Sequence, residues 1–241
     1  VISAQARCIE ILAPIKADVR VASPLRQGQC GIATPVVVKS IGTGVTVMLT
    51  PPIEINCEVV AALHHWLEHN AQPAARDVFG EDIVGVSGVG YQCRLRAGGQ
   101  KMSEHAAANA IDIMAFRFRS GREITVLGNW GPIERDRQRE STAGTAEHGA
   151  KGGGSIAKGT SSARQALKNS RAGLGLGSEG RSASTPEAFS LPLTPPQRFL
   201  RRLHSEACGV FTTVLGPEAN DDHRNHFHLD LAPRIRGAFC R

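Results

Sequence analysis

A change in composition between Gly131 and Ser190 most constrains what this chain can fold into. Gly, Ser, Ala, Lys and Arg dominate there, Gly152-Gly153-Gly154 forms a glycine run, and large apolar side chains are almost missing. Such a stretch cannot bury enough surface to offset the entropy of ordering it. Residues 131–190 are therefore expected to form a disordered insertion in a surface loop, tolerable because closure entropy grows slowly with loop length. His148 within it is expected to be solvated. The chain as a whole, 1–241, is expected to be a single domain whose core comes from the residues outside the insertion.

With 241 residues the chain is long enough for one substantial core. Aromatics are scarce and glycines number 26, which points to a loop-rich α+β domain and away from a helical bundle. A net charge of +6 fits an anionic partner: cell-wall polymer, lipid headgroups or nucleic acid. Charge does not choose among these, but basic and aromatic residues are not interleaved and no nucleic-acid motif occurs, so no nucleic-acid partner is expected. No apolar run is long enough to span a bilayer, so the protein is not expected to be transmembrane. The sequence starts at Val1 without a leader, which leaves export open.

Six widely spaced cysteines, none in a Cys-x-x-Cys pair, argue against a zinc ribbon or a thioredoxin-type site. They fit three disulfides in an oxidising compartment, periplasmic or otherwise exported. The expected pairs are Cys208–Cys240, stapling a helix to the chain end, with Cys8–Cys30 and Cys57–Cys93 completing the set.

Residues 1–35, broken by Pro14, Pro24 and Pro35, read as an irregular lead-in. The β-branched runs Val36–Val38 and Val45–Leu49 predict a hairpin or two short strands. Val59, Val60, Leu63, Trp66 and Leu67 recur at helical spacing, predicting a core-packing helix from Cys57 to about His69. His65 and His69 stand four apart on it without a third ligand. Ile83 to Cys93 reads as a strand broken by Gly88 and Gly90, which lack the lysine and helix start of a phosphate loop. Ser103 caps a short turn through Ala108. Ala110 to Phe118 is expected as a strand, hairpinned through Ser120-Gly121 into Ile124–Leu127. A helix opens at Thr194-Pro195-Pro196, with Phe199, Leu200, Leu203 and Ala207 inward. Phe211–Leu215 and Phe227–Leu231 are strand candidates joined by a Gly216-Pro217 turn. Together these elements make a small antiparallel sheet with flanking helices.

Two compact polar clusters carry the chemistry. Asp112 is a carboxylate inside an apolar strand, which needs a cation or several hydrogen bonds, and His105 lies seven residues before it. In an extended segment His226 and His228 point the same way, while Phe227 packs into the core. The two imidazoles can face one ion, or one can bind while the other serves a reaction. Copper and nickel are possible, but His/Asp ligation with an open position suits zinc best.

Ser103-x-His105 with Asp112, closed by His226-Phe227-His228, resembles the zinc superfamily of D-Ala-D-Ala peptidases, murein endopeptidases and the Hedgehog domain. Tyr91-Gln92-Cys93-Arg94, Ser103-Glu104-His105-Ala106-x-Ala108-Asn109-Ala110-Ile111-Asp112 and His223-x-x-His226-Phe227-His228-x-Asp230 resemble the bacterial extensin-like C-terminal domain. The resemblance implies a Hedgehog/D-Ala-D-Ala-peptidase-like fold with Zn2+ held by His105, Asp112 and His228. It implies His226 as catalytic base or electrostatic partner, His223 as a supporting histidine, Arg94 as a substrate-binding cation, and Ser103 orienting a ligand. The implied substrate is a peptide amide in peptidoglycan; the alternative is a zinc-stabilised, non-catalytic wall-binding or adaptor module. Two positions depart from the pattern. Asn225 stands where the carboxypeptidase branch has a glutamate base, and Ala108 where a glycine is usual.

Overall fold

Ser3 starts the first helix, α1 (Ala4–Leu12), by accepting a hydrogen bond from the Ala6 N–H at 3.1 Å. This is a computed structural model, and it describes residues 3–96, 98–139 and 192–241. Next come β1 (Ala17–Val21), β2 (Leu25–Gln27), β3 (Cys30–Ile32), β4 (Val36–Gly42) and β5 (Thr46–Ile55). The lead-in is therefore not irregular. Its helix buries Cys8 and rests Ile11 and Leu12 on the core, Ile15 in the following turn does the same, and β1 pairs with β4 at the sheet edge. The edge strand is mostly exposed and bulged at Asp18/Val19, so no period-two pattern announces it.

Asn56 caps α2 (Cys57–Trp66), which continues through a π-helical turn, Leu67–Ala71, into α3 (Gln72–Phe79). Val59, Val60, Leu63, Trp66 and Leu67 are fully buried, as their spacing predicts. The helical run ends at Gly80, whose φ of 70° is the left-handed conformation that glycine adopts without strain. β6 (Ile83–Val89), β7 (Ala110–Phe118) and β8 (Glu123–Thr125) follow, and Thr125 caps α4 (Val126–Asn129), cutting short the strand expected through Leu127. The final part holds α5 (Pro195–Ala207), β9 (Thr213–Leu215), β10 (Phe227–Asp230) and β11 (Phe239–Cys240). Thr194 and Gln197 form a capping box at the start of α5.

The fold is α+β, but its sheet is neither small nor purely antiparallel. Among the described residues nine strands join, in the order β1-β4-β5-β6-β7-β10-β9-β11, with β8 on β7 beside β10. The β5–β6 and β9–β11 pairs are parallel. The helical run α2–α3 forms the connection that a parallel β5–β6 pair requires. One unit comprises Val1–Gln138 and Leu193–Arg241, and its core draws on both flanks of the composition break. Phe199 meets Phe79, Phe116 and Phe118, and the Trp66 indole N–H donates to the Leu203 carbonyl at 3.2 Å.

β7 contains a bulge. Gly88 opposes Ile113 and Ser87 opposes Ala115, so Met114 is left without a partner and the alternation flips there. Ile111 and Ile113 before the bulge, and Phe116 and Phe118 after it, consequently join one core, while Asp112 faces the opposite side.

The expected insertion, with His148, lies mostly outside the described residues. Of its first residues, Ile133 is buried and 134–139 are helical, and the Arg135 guanidinium donates to the Pro217 and Glu218 carbonyls. The disulfides are Cys8–Cys57, Cys30–Cys93 and Cys208–Cys240. The last is as expected; Cys8–Cys30 and Cys57–Cys93 are corrected. Packing of α1 on α2 brings Cys8 to the first residue of α2, which leaves Cys30 on β3 for the segment carrying Cys93. Three disulfides indicate an oxidising environment. Among the described residues no helix is long and apolar enough to cross a membrane.

Candidate metal centre

His228 lies directly opposite Asp112 in the antiparallel β7–β10 pair, so both side chains leave the sheet on the same side. Phe227 points the other way, onto Phe116, Trp130 and His204. His105 arrives on a 3-10 turn, Glu104–Ala107, whose Ser103 cap accepts from the His105 N–H at 3.4 Å. The turn closes at Ala108 with φ 51°, the conformation in which a glycine is usual. Asn109 ties the turn down, donating to Glu104 at 2.8 Å and accepting from Asn56 at 3.0 Å.

His105 Nε2, Asp112 Oδ1 and His228 Nδ1 converge, with separations of 3.0, 3.1 and 2.9 Å. All three residues are buried, and among the described residues they are the group able to hold a metal ion. The hydrogen bonds behind the rings decide what lies between them. His105 Nδ1–H donates to the Gly90 carbonyl at 2.5 Å, and His228 Nε2–H donates to Asp230 Oδ2 at 3.0 Å. The nitrogens facing inward in the neutral rings are therefore bare lone pairs. Two lone pairs and a carboxylate oxygen within 3.1 Å repel unless a cation joins them. A tetrahedral ion with ligands at about 2.0–2.1 Å separates its donors by ~3.3 Å, so a small outward relaxation seats it. The residues present fit a borderline divalent metal.

Without a metal a proton takes the same place. Burial opposes charge on His228, but hydrogen bonds to Asp112 and Asp230 outweigh it and push the imidazole up to about 9. Burial also works against the Asp112 anion, yet His105 and His228 hold its carboxyl far below the usual range. The Asp230 carboxyl is likewise low: burial is outweighed by bonds from His228, Thr213 and the Ala232 N–H.

The remaining sequence-predicted residues gather around this centre. His226 Nε2 stands 3.5 Å from Asp112 Oδ1, and its Nδ1–H donates to Asn225 Oδ1 at 2.7 Å, so its lone pair faces the centre. Burial lowers its pKa, leaving a neutral base at pH 7. His223 sits on the 3-10 turn Asp221–His223, a longer connection than the expected Gly216-Pro217 turn. Its ring lies 5.1 Å from that of His226, its Nδ1–H donates to Asn220 at 2.6 Å, and burial pulls its pKa down to about 4. Arg94 Nη2 is 3.7 Å from Asp112 Oδ2, on the segment that Cys30–Cys93 tethers. The His65 and His69 rings lie 4.6 Å apart at a tilt of 54°, with Glu68 beside His69, and among the described residues they belong to no group able to hold a metal.

Sequence reasoning missed the acceptors behind the rings: the Gly90 carbonyl, Asn220, Asn225 and Asp230. Gly90 has a steric signal only in three dimensions, since a Cβ there would lie 2.1 Å from the Glu54 carbonyl oxygen. Asn225 carried a signal that was read only as a missing glutamate. The three histidines of the closing motif open onto a cleft of about 520 Å3, whose other walls include Arg94, Arg96 and Arg234.

The chain matches no curated protein and no solved structure. Its sequence does match the family described as Extensin-like protein C-terminus over residues 6–150 and 178–241. That match takes in every residue of the centre on both sides of the composition break, and the chain belongs to this family.

Proposed function

We propose that the protein is a zinc-dependent hydrolase of peptide amide bonds in peptidoglycan, working in the periplasm or another exported location on a Hedgehog/D-Ala-D-Ala-peptidase-like fold. The observation that carries this reading is the convergence of three metal-competent donors, His105 Nε2, Asp112 Oδ1 and His228 Nδ1, beside a cleft with a third imidazole, His226, aimed at them. His105, Asp112 and His228 would hold Zn2+. A bound zinc polarises a carbonyl and lowers the pKa of water toward ~7.

The protein's own groups do the rest. The Gly90 carbonyl and Asp230 hold the two imidazoles in the ligating tautomer. His226, neutral and fixed by Asn225, takes the proton of the attacking water at Nε2 and returns it to the departing amine. His223, anchored on Asn220 beside His226, keeps that ring in place and stays uncharged near neutrality. Arg94 offers N–H donors to a substrate carbonyl or carboxylate at the cleft wall. The net charge of +6 favours approach to an anionic wall polymer.

Asn225, where the carboxypeptidase branch has a base, favours histidine-assisted endopeptidase chemistry over carboxypeptidase chemistry; the second reading is a non-catalytic, zinc-stabilised wall-binding or adaptor module. Purified sacculi separate the two. The zinc-loaded protein is expected to release muropeptides, and His226→Ala to keep its zinc while losing about 100-fold or more in rate. Binding to sacculi with no release above a chelated control would leave only the adaptor.

A further inference from the structure

The cleft continues past His228 and its partner Asp230 to Thr213, Arg234 and Phe239, three residues with no part in the chemistry above. Its three arginines differ in one respect. Arg96 meets Glu104 at 3.0 Å and Arg94 faces Asp112 at 3.7 Å. Arg234 has no carboxylate within ion-pair reach among the described residues. Its guanidinium instead donates to the Thr213 hydroxyl, from Nε at 3.1 Å and also from Nη2.

Thr213 is buried opposite Asp230 in the β9–β10 pair, and its hydroxyl oxygen accepts both of these bonds from Arg234. A guanidinium carries five N–H donors, and those not used on Thr213 find no protein acceptor among the described residues. Beside it, 5.7 Å from the guanidinium carbon to the ring centroid, lies Phe239, which is 44% exposed and forms the same wall. Phe239 is pinned by pairing with Thr213 in the parallel β9–β11 ladder and by the adjacent Cys208–Cys240 disulfide. A cation without a counter-ion next to an exposed ring, both held by rigid elements, is the composition of an anion subsite with an apolar floor.

Position gives the register. Thr213 opposes Asp230, and Asp230 follows His228 by two residues on β10, about 7 Å along a strand. An extended peptide covers that distance in roughly two residues. Building on the hydrolase reading, we infer that Arg234 and Phe239 form a substrate subsite that takes a free carboxylate about two residues from the scissile amide, with the ring covering the neighbouring apolar stem.

The test uses the zinc-loaded full chain and two substrates: muropeptides with free carboxylates, and the same muropeptides after amidation of those groups. The wild type is expected to favour the free carboxylate by about tenfold or more in kcat/KM, the effect of one charge-assisted contact. Arg234→Gln should abolish that preference through KM, with zinc content unchanged, and Arg234→Lys should restore part of it. Phe239→Ala should raise KM for both substrates. A preference that survives Arg234→Gln overturns the subsite. So does loss of zinc in that variant without loss of the preference, because Arg234 would then only brace Thr213 and Asp230. If the wild type cleaves neither substrate, the hydrolase reading falls on its own. Calorimetric binding of the two muropeptides then decides: an Arg234-dependent preference keeps the subsite, and equal binding removes it.

Discussion

His228 and Asp112 face each other across the β7–β10 pair, with Nδ1 and Oδ1 2.9 Å apart. Because Asp230 takes the hydrogen on the ring's other nitrogen, a cation must lie between these two atoms: a proton in the metal-free protein, a metal ion in the loaded one. The pair is therefore built to share a cation, and the groups behind it set how well.

Asp230 is the clearest case. Its Oδ2 holds His228 Nε2–H while its Oδ1 is fixed by the Ala232 N–H. Asp230→Ala frees the ring to rotate and is expected to weaken zinc binding about 10- to 100-fold. Calorimetric titration of the variant against the wild type checks it; unchanged affinity would mean that the ring is held by packing alone.

Gly90 holds the other ring from the main chain. A Cβ there would sit 2.1 Å from the Glu54 oxygen and 2.7 Å from Ile53, so the strand end must move. Gly90→Ala is expected to cost about 1–3 kcal/mol of stability, and to lower zinc affinity as the carbonyl leaves His105. Urea unfolding and metal titration measure the two effects.

Asn225 fixes the tautomer of His226 through Nδ1–H. Asn225→Ala is expected to retain full zinc while cutting muropeptide release about tenfold or more, since a freely turning imidazole presents its base less often. Wild-type turnover in this variant would remove Asn225 from the mechanism.

How much of this was legible beforehand depended on the range over which the cause acts. Phe227 and His228 leave opposite sides of β10 because strand geometry has period two, and Ser103 caps the His105 turn through a bond two residues away. Both are local, so the residues alone reveal them. The bulge at Met114 that turns Phe116 and Phe118 toward the helices depends on how β6 aligns with β7. The pairing of Cys8 with Cys57 depends on α1 lying on α2, and the role of Gly90 depends on how closely β5 approaches. These are tertiary facts, and spacing along the chain does not encode them.

His204 provides a check by pH, away from the centre. Burial keeps its imidazole neutral, with the pKa below the ordinary 6.5, and its Nε2–H donates to the Arg241 carbonyl at 3.1 Å. The unfolded chain therefore takes up this proton before the folded one does. Stability from this residue is complete above 6.5 and declines as the pH falls below it. Urea unfolding of the zinc-loaded protein from pH 8 to 5 is expected to show a shallower loss for His204→Gln; equal slopes would contradict the assignment.

The central claim is that His105, Asp112 and His228 make one metal site, in which a proton stands in for the ion when none is bound. Zinc titration of the metal-free protein, followed by calorimetry for the wild type and His105→Ala, addresses it most directly. One equivalent should bind the wild type tightly with release of a proton, because His228 gives up the proton that stands in for the metal, and His105→Ala should lose most of that affinity. Equal zinc uptake by both proteins, or none by the wild type, would contradict it.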